Sequence, residues 1–341
     1  MNTKKKILLT GGAGYIGAHT AVELIQSDYD TVLVDDFSKS DDTLLKGIEK
    51  IIGKKPDFFQ GDCKDPEFLE KLFAQYKFDS IIHFAAYKSV NESVRQPLPY
   101  YDNNLRSMIE LLRVMHKFGV NEFIFSSSCT VYGQPDAIPV DETAPFKKAE
   151  SPYGATKQIG ERLLEDEVIA DKNLKVVSLR YFNPIGAHPS ALIGEMPVGV
   201  PGNLVPYVTQ TAAGLREKLT VFGNDYNTPD GSCLRDYIHV TDLARAHASA
   251  VEKIGSMPHR LEAFNLGTGE GVSVLELVRK FMEVTGVTVN YEIGPRRPGD
   301  VEKVYADPAK AKKLLGWRTN LKLEKALEDA WRWQQKLTGA R

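Results

Sequence analysis

Short apolar runs alternate with segments of helical period through roughly the first 183 residues. The runs are Ile7-Leu8-Leu9, Thr31–Val34, Asp57–Gln60, Ser80–Phe84, Glu122–Ser126 and Lys175–Leu179. Between them, helical spacing predicts helices from Gly17 to about Gln26, over Pro66–Tyr76, about Leu98–Phe118 and Pro152–Ala170. Strands apolar on both faces, separated by amphipathic helices, predict an α/β fold: a doubly wound parallel sheet covered on both sides. Beyond Asn183 the texture changes. Pro184–Pro206 is rich in Pro and Gly and reads as irregular chain. Short helices follow at Leu204–Leu215, Val240–Ile254, Ser273–Thr285, Pro308–Leu315 and Leu323–Lys336, with short strands near Thr220–Phe222, Phe264–Leu266 and Val289–Ile293. This pattern predicts two parts, 1–183 and 184–341, the second a smaller α+β cap interleaved with the sheet.

The first strand runs straight into Gly11-Gly12-Ala13-Gly14-Tyr15-Ile16-Gly17. Gly11 suits a tight turn, Gly14 lets backbone approach a pyrophosphate, and Gly17 lets helix and strand pack closely. The pyrophosphate would rest on the positive end of the following helix. The second strand ends in Asp35-Asp36, where a carboxylate suits adenosine ribose hydroxyls and repels a 2′-phosphate. A Rossmann-type domain holding NAD rather than NADP is therefore expected. In such sheets ligands bind beyond the strand C-termini. Gly11–Gly17, Asp35, Asp62, Ala85–Lys88, Ser126–Ser128 and Tyr181–Asn183 should then share one rim.

The candidate chemistry sits in Ser151-Pro152-Tyr153-Gly154-Ala155-Thr156-Lys157. Ser-Pro starts a helix, Ser as N-cap and Pro at the first helical position. Residues four apart share a helix face, so the phenol of Tyr153 and the ammonium of Lys157 can enter one site. A nearby cation and a helix N-terminus both favour phenolate, and a lowered phenol pKa is the expectation for a general base.

Composition narrows the partners. The 341 residues carry net charge −2, with 42% hydrophobic and 26% charged positions, which gives no footprint for nucleic acid. The apolar run after Lys4-Lys5-Lys6 is too short for a leader core or a membrane span. Three scattered cysteines, Cys63, Cys129 and Cys233, fit neither a disulfide framework nor a zinc site, and lead to the expectation of a reducing cytoplasm.

Gly11-x-x-Gly14-x-x-Gly17 together with Tyr153-x-x-x-Lys157 resembles the extended short-chain dehydrogenase/reductases. Thr10–Gly17, Tyr101-Asp102-Asn103-Asn104, Ser126–Gly133, Leu179–His188, Arg235–Val240 and Arg296-Arg297-Pro298-Gly299-Asp300 are similar to that family's UDP-hexose 4-epimerase branch. The resemblance spans nearly the whole chain. It implies that Gly11, Gly14, Tyr15, Ile16, Gly17, Asp35, Asp62, Cys63, Phe84, Ala85, Ala86, Lys88, Asn103 and Phe182 hold NAD, with Tyr153 and Lys157. It adds Ser128 to the catalytic pair. It implies that Lys88, Ser128, Tyr153, Asn183, Asn203, Phe222, Arg235, Arg297, Asp300 and Val304 meet the UDP-hexose. Arg guanidinium groups pair with phosphate oxygens and a carboxylate suits ribose hydroxyls, so the diphosphate set also makes chemical sense. No metal is implied, and the helices Leu98–Phe118 and Pro152–Ala170 resemble a pair that forms a homodimer.

The implied reaction inverts C4 of a UDP-hexose by transient oxidation to a 4-keto sugar and return of hydride to the opposite face. Dehydratases of this family carry Asp and Glu after the Ser or Thr of the triad strand; here Cys129 and Thr130 stand there. A UDP-glucuronate 4-epimerase or decarboxylase is the alternative within the family. A nonenzymatic NAD-binding sensor is the alternative from another class, and it has no need of Ser128, Tyr153 and Lys157. Val304 stands where some members carry a bulky Tyr, so the sugar pocket is expected to admit a 2-acetamido group. The plainer reading is a core valine.

Overall fold

The computed structural model describes residues 4–297 and 300–339. Pro298 and Gly299 of the Arg296–Asp300 string lie outside the described residues. The first half runs β1 (Lys6–Thr10), α1 (Tyr15–Gln26), β2 (Asp30–Asp35), α2 (Thr43–Ile52), β3 (Asp57–Gln60), α3 (Pro66–Gln75), β4 (Ser80–His83), α4 (Val90–Arg95), α5 (Pro97–Phe118), β5 (Glu122–Ser128), α6 (Pro152–Ala170) and β6 (Lys175–Tyr181). The second half adds β7 (Asn183–Ile185), α7 (Leu204–Ala212), β8 (Leu219–Phe222), β9 (Leu234–Arg235), β10 (Tyr237–His239), α8 (Val240–Lys253), β11 (Leu261–Leu266), β12 (Val272–Ser273), α9 (Val274–Thr285), β13 (Tyr291–Gly294), β14 (Lys303–Val304), α10 (Ala309–Leu314) and α11 (Leu323–Thr338).

Seven strands form one sheet in the order β11-β6-β5-β4-β1-β2-β3, every pairing parallel. The doubly wound Rossmann-type α/β fold expected from the pattern is present. The order in which strands are added reverses between β1 and β4, the position where such sheets open a ligand crevice. Period-2 packing divides the core. Ile7 and Leu9 face a layer that includes Ala18, Ala21, Leu243 and Ala250 of α1 and α8, whereas Leu8 faces Leu69, Met108, Leu111 and Leu164 of α3, α5 and α6. A separate core of Val208, Phe281 and Leu327 joins α7, α9 and α11.

Local signals set the helix ends that matter for the site. Ser151 caps α6 by accepting from the Gly154 N–H at 3.1 Å, with Pro152 at the first helical position. At α3, Asp65 accepts from Glu67 and Phe68 N–H. β5 and β6 each run two residues past their expected ends. Ser126–Ser128 pair with Leu179–Tyr181, so tertiary burial carries the ladder through polar sequence. The helix α2 escapes the sequence pattern because Gly47 interrupts it. A Cβ at Gly47 would lie 2.2 Å from the Leu192 carbonyl oxygen, which explains the glycine.

Candidate active site

The loops after β1 and β4 touch across the switch point. Gly11 has φ +71°, and a Cβ there would lie 2.8 Å from the Ala85 nitrogen. A Cβ on Gly17 would come within 2.3 Å of the Gly11 carbonyl oxygen. Only glycine builds this turn. No side chain caps the first turn of α1, so its N-terminal N–H groups at Tyr15 and Ile16 remain for an anion. Asp35 accepts from the Ala13 N–H (3.1 Å), the Phe37 N–H (3.1 Å) and the Ser40 hydroxyl (2.7 Å), tying the glycine loop to the end of β2. Burial raises its pKa while those donors pull it down. This cradle fits a dinucleotide.

On the same rim Lys64 joins two expected residues: its ammonium donates to Asn103 Oδ1 at 3.2 Å and lies 3.6 Å from Asp62. Ala85 follows β4 and is bonded through its N–H to the Thr10 hydroxyl. Asn104 accepts from the Tyr87 N–H at 2.8 Å and donates to the Tyr87 carbonyl and the Thr156 hydroxyl, each at 3.0 Å. It bolts the Phe84–Lys88 loop, Ala86 included, to α5 and α6. The Cys63 side chain is buried in the apolar core under the rim and its thiol is pushed up by burial, so it packs rather than reacts.

Ser128 ends β5 and meets α6 at Tyr153. The Lys157 ammonium donates to the Ser126 carbonyl at 2.6 Å and lies 5.8 Å from the Tyr153 ring centre. All three side chains are buried. The expected lowering of the Tyr153 phenol does not hold for the chain by itself. Burial pushes it well above its ordinary value, Tyr181 adds to this, and only the neighbouring Ser128 hydroxyl lowers it. Burial also lowers Lys157 to about 7, with Glu161 opposing. Desolvation therefore outweighs the proximity that the sequence could show.

Across the rim, Arg235 Nη2 lies 3.5 Å from Asp300, and Arg297 grips the same carboxylate at 2.6 and 3.1 Å. Phe222 packs under Arg297, 5.7 Å from ring centre to guanidinium. Asp236 does not pair with Arg235. Fully buried, it accepts from the Thr268 N–H and hydroxyl, the Gly269 N–H and the Ala306 N–H. Arg296 lies apart from the cluster, exposed against Asp225 and the Tyr226 ring. Phe182 and Asn183 bond through their N–H groups to the Leu266 and Asp236 carbonyls. Val304, 6% exposed, packs with Phe182, Val131 and Tyr132 and pairs in register with Arg235.

Glu195 escaped the sequence reading. Its carboxylate accepts from Lys88 Nζ at 3.0 Å and Asn203 Nδ2 at 2.7 Å, linking rim to cap. The surrounding Pro/Gly-rich stretch carried no signal for it. The positions after Ser128 offer no useful acid: burial drives Cys129 up to about 12, and Thr130 is an alcohol. Among the described residues no cluster of His, Cys, Asp and Glu could hold a metal ion, and no helix is long and apolar enough to cross a membrane.

Residues 8–330 match the family model described as GDP-mannose 4,6 dehydratase. The UDP-glucose 4-epimerase of Bacillus subtilis (strain 168) is 50% identical over 328 residues, 96% of each chain. A crystal structure of UDP-glucose 4-epimerase from Bifidobacterium longum in complex with NAD+ and UDP superposes with TM-score 0.95 at 44% identity, covering 99% of this chain and all of that one. That of Stenotrophomonas maltophila, with NAD and formylated UDP-arabinopyranose, gives TM-score 0.96 at 46% identity over 99% and 100% of the two chains. Likeness of this extent, on a rim that brings Ser128, Tyr153 and Lys157 together and lacks the dehydratase acids, places the chain in the UDP-glucose 4-epimerase family.

Proposed function

We propose that this chain interconverts UDP-glucose and UDP-galactose with NAD as its bound cofactor. The observation that carries the reading is the convergence of Ser128, Tyr153 and Lys157 beside the glycine cradle, with the Arg235–Arg297–Asp300 cluster opposite. The Bifidobacterium structure, holding NAD+ and UDP, supports it. The cradle of Gly11, Gly14, Tyr15, Ile16 and Gly17, with Asp35, Asp62, Phe84–Lys88, Asn103 and Phe182, would hold the dinucleotide. Bound NAD would take up the C4 hydride, return it to the opposite face, and set a positive ring near the phenol.

Tyr153 takes the proton of the C4 hydroxyl, and Ser128 holds the same oxygen by hydrogen bond. Lys157, anchored on the Ser126 carbonyl, supplies positive charge to favour the phenolate. The C4 hydrogen of a hexose is not acidic, so oxidation rather than deprotonation opens the route. Arg235 and Arg297 grip the diphosphate and Asp300 a ribose hydroxyl; Asn183, Asn203 and Phe222 complete that clamp. Holding the nucleotide firmly and the sugar loosely lets the ketone present either face. Residues 1–183 form mainly the NAD part and 184–341 mainly the UDP-sugar cap, with α8 and β11 returning to the sheet. The chain acts as a cytoplasmic homodimer through α5 and α6.

Assay of the UDP-glucose, UDP-N-acetylglucosamine and UDP-glucuronate pairs with their C4 epimers tests the reading. Turnover of the first pair is expected; turnover of the glucuronate pair alone would refute it. Asp35→Ala leaves the Ala13 and Phe37 N–H groups without their carboxylate and should weaken NAD retention by roughly tenfold or more. Nucleotide released on denaturation measures this, with NADP gaining relative to NAD.

Val304 supports a wider substrate range. Val304 packs beside Phe182 and Arg235, and a side chain smaller than Tyr there would leave room for a 2-acetamido group. Val304→Tyr should abolish turnover of UDP-N-acetylglucosamine and spare UDP-galactose, in steady-state rates on both pairs. Failure of the unaltered protein on the acetylated pair, with no effect of the change, would refute this.

A further inference from the structure

β5 closes on three serines, and each is tied to a different partner. The Ser126 carbonyl takes the Lys157 ammonium at 2.6 Å, and its hydroxyl meets the Tyr181 hydroxyl at 2.5 Å. Ser128 belongs to the catalytic set. Between them, the Ser127 hydroxyl donates to Glu161 Oε1 at 2.5 Å. Glu161 stands one turn past Lys157 on α6 and is 4% exposed.

The same carboxylate is gripped from β6. Arg180 donates through Nε at 2.9 and 3.1 Å and through Nη2 at 2.6 Å. Arg180 Nη1 then donates to the Tyr132 hydroxyl at 2.9 Å, which donates to Asn265 Oδ1 at 2.7 Å. Asn265 Nδ2 donates to the Val140 carbonyl at 2.8 Å, and the Val140 N–H to the Tyr305 carbonyl at 2.9 Å, next to Val304. One buried chain of polar contacts thus runs from the catalytic helix to the end of β14, beside Val304. None of these groups touches the reacting atoms in the proposed mechanism.

We propose that Glu161 is a positioning residue for the epimerisation: pinned by Ser127 and Arg180, its carboxylate sets the spacing of β5 against α6 at which Ser128, Tyr153 and Lys157 meet. This rests on the reading in which those three residues carry the reaction. Ser126 and Ser128 flank the pinned residue, so a slip at Ser127 moves the lysine's acceptor and the catalytic hydroxyl together. Catalytic groups misplaced by about 1 Å lose rate on the order of a hundredfold.

Charge adds a second consequence. Lys157 is faced by Tyr153 and Glu161 on its own helix and by His83 from β4. Burial holds His83 neutral, at about 3. The Glu161 carboxylate is the group that favours the ammonium against burial. Without that charge Lys157 gives up its proton at lower pH, and the alkaline limb of kcat moves down with it.

The test compares Glu161→Gln, Glu161→Asp and Ser127→Ala with the unaltered holoenzyme on UDP-galactose. Glu161→Gln should lower kcat about tenfold or more, leave KM within about twofold, and move the alkaline limb down by about one pH unit. Glu161→Asp returns the charge one methylene short, so it should restore the limb but not kcat. Ser127→Ala keeps the ion pair and removes only the pin; its kcat should fall about three- to tenfold with KM within about twofold. Should Glu161→Gln fail to fold, Ser127→Ala decides alone. Unaltered kcat in Ser127→Ala, or an unmoved limb in folded Glu161→Gln, overturns the proposal. An unaltered enzyme that turns over no UDP-hexose would defeat the functional reading itself, and this proposal with it.

Discussion

Replacing Tyr153 with Phe removes most turnover of UDP-galactose and leaves the protein folded with its NAD. The expected loss in kcat is about 10²–10⁴-fold, the worth of a positioned proton acceptor. The ring that packs at the head of α6 is retained, and Ser151 still caps the helix, so the melting temperature should stay near that of the unaltered protein. The bound nucleotide is expected to remain because the glycine cradle and Asp35 are untouched. Burial makes the result sharper. A phenol held above its ordinary pKa by desolvation is a poor base until positive charge lies beside it. Loss of both kcat and NAD would show instead that Tyr153 serves chiefly to hold the nucleotide.

The second large effect falls on stability. Arg180→Met leaves the Glu161 carboxylate buried without its counter-ion, and breaking such a pair costs about 3–5 kcal/mol. Urea unfolding of the purified protein should read this as a lower midpoint. The double change Arg180→Met with Glu161→Met removes both charges and should regain most of the loss, since two apolar side chains pack without an orphan ion. An Arg180→Met protein as stable as the unaltered one would mean that Glu161 has taken up a proton or reached water.

Features whose cause lies within a few residues were legible in sequence. The glycine loop, Asp35 at the end of β2, and the Ser-Pro start that sets Tyr153 and Lys157 on one face all follow from local spacing. The parallel sheet followed from apolar runs flanked by helices. Pairings across long separations were not legible. Glu195 meets Lys88 across 107 residues and lies in irregular chain with no period to mark it. Lys64, Asn104, Glu161 and Arg180 act through partners brought together only by the sheet. The raised pKa of the phenol in the chain by itself was not legible for the same reason: the sequence shows which charge stands four residues away, but not that both groups are buried. Nor did any short motif announce β9, β12 and β14, whose two residues each are ordered by tertiary pairing alone.

In this mechanism one hydride leaves C4 and comes back to the same carbon without meeting water. UDP-galactose carrying deuterium at C4, incubated with the protein in ordinary water and no added nucleotide, tests it directly. UDP-glucose with the deuterium still at C4 is expected, read by mass spectrometry and proton NMR. Product that has exchanged its C4 deuterium for solvent hydrogen would rule this route out.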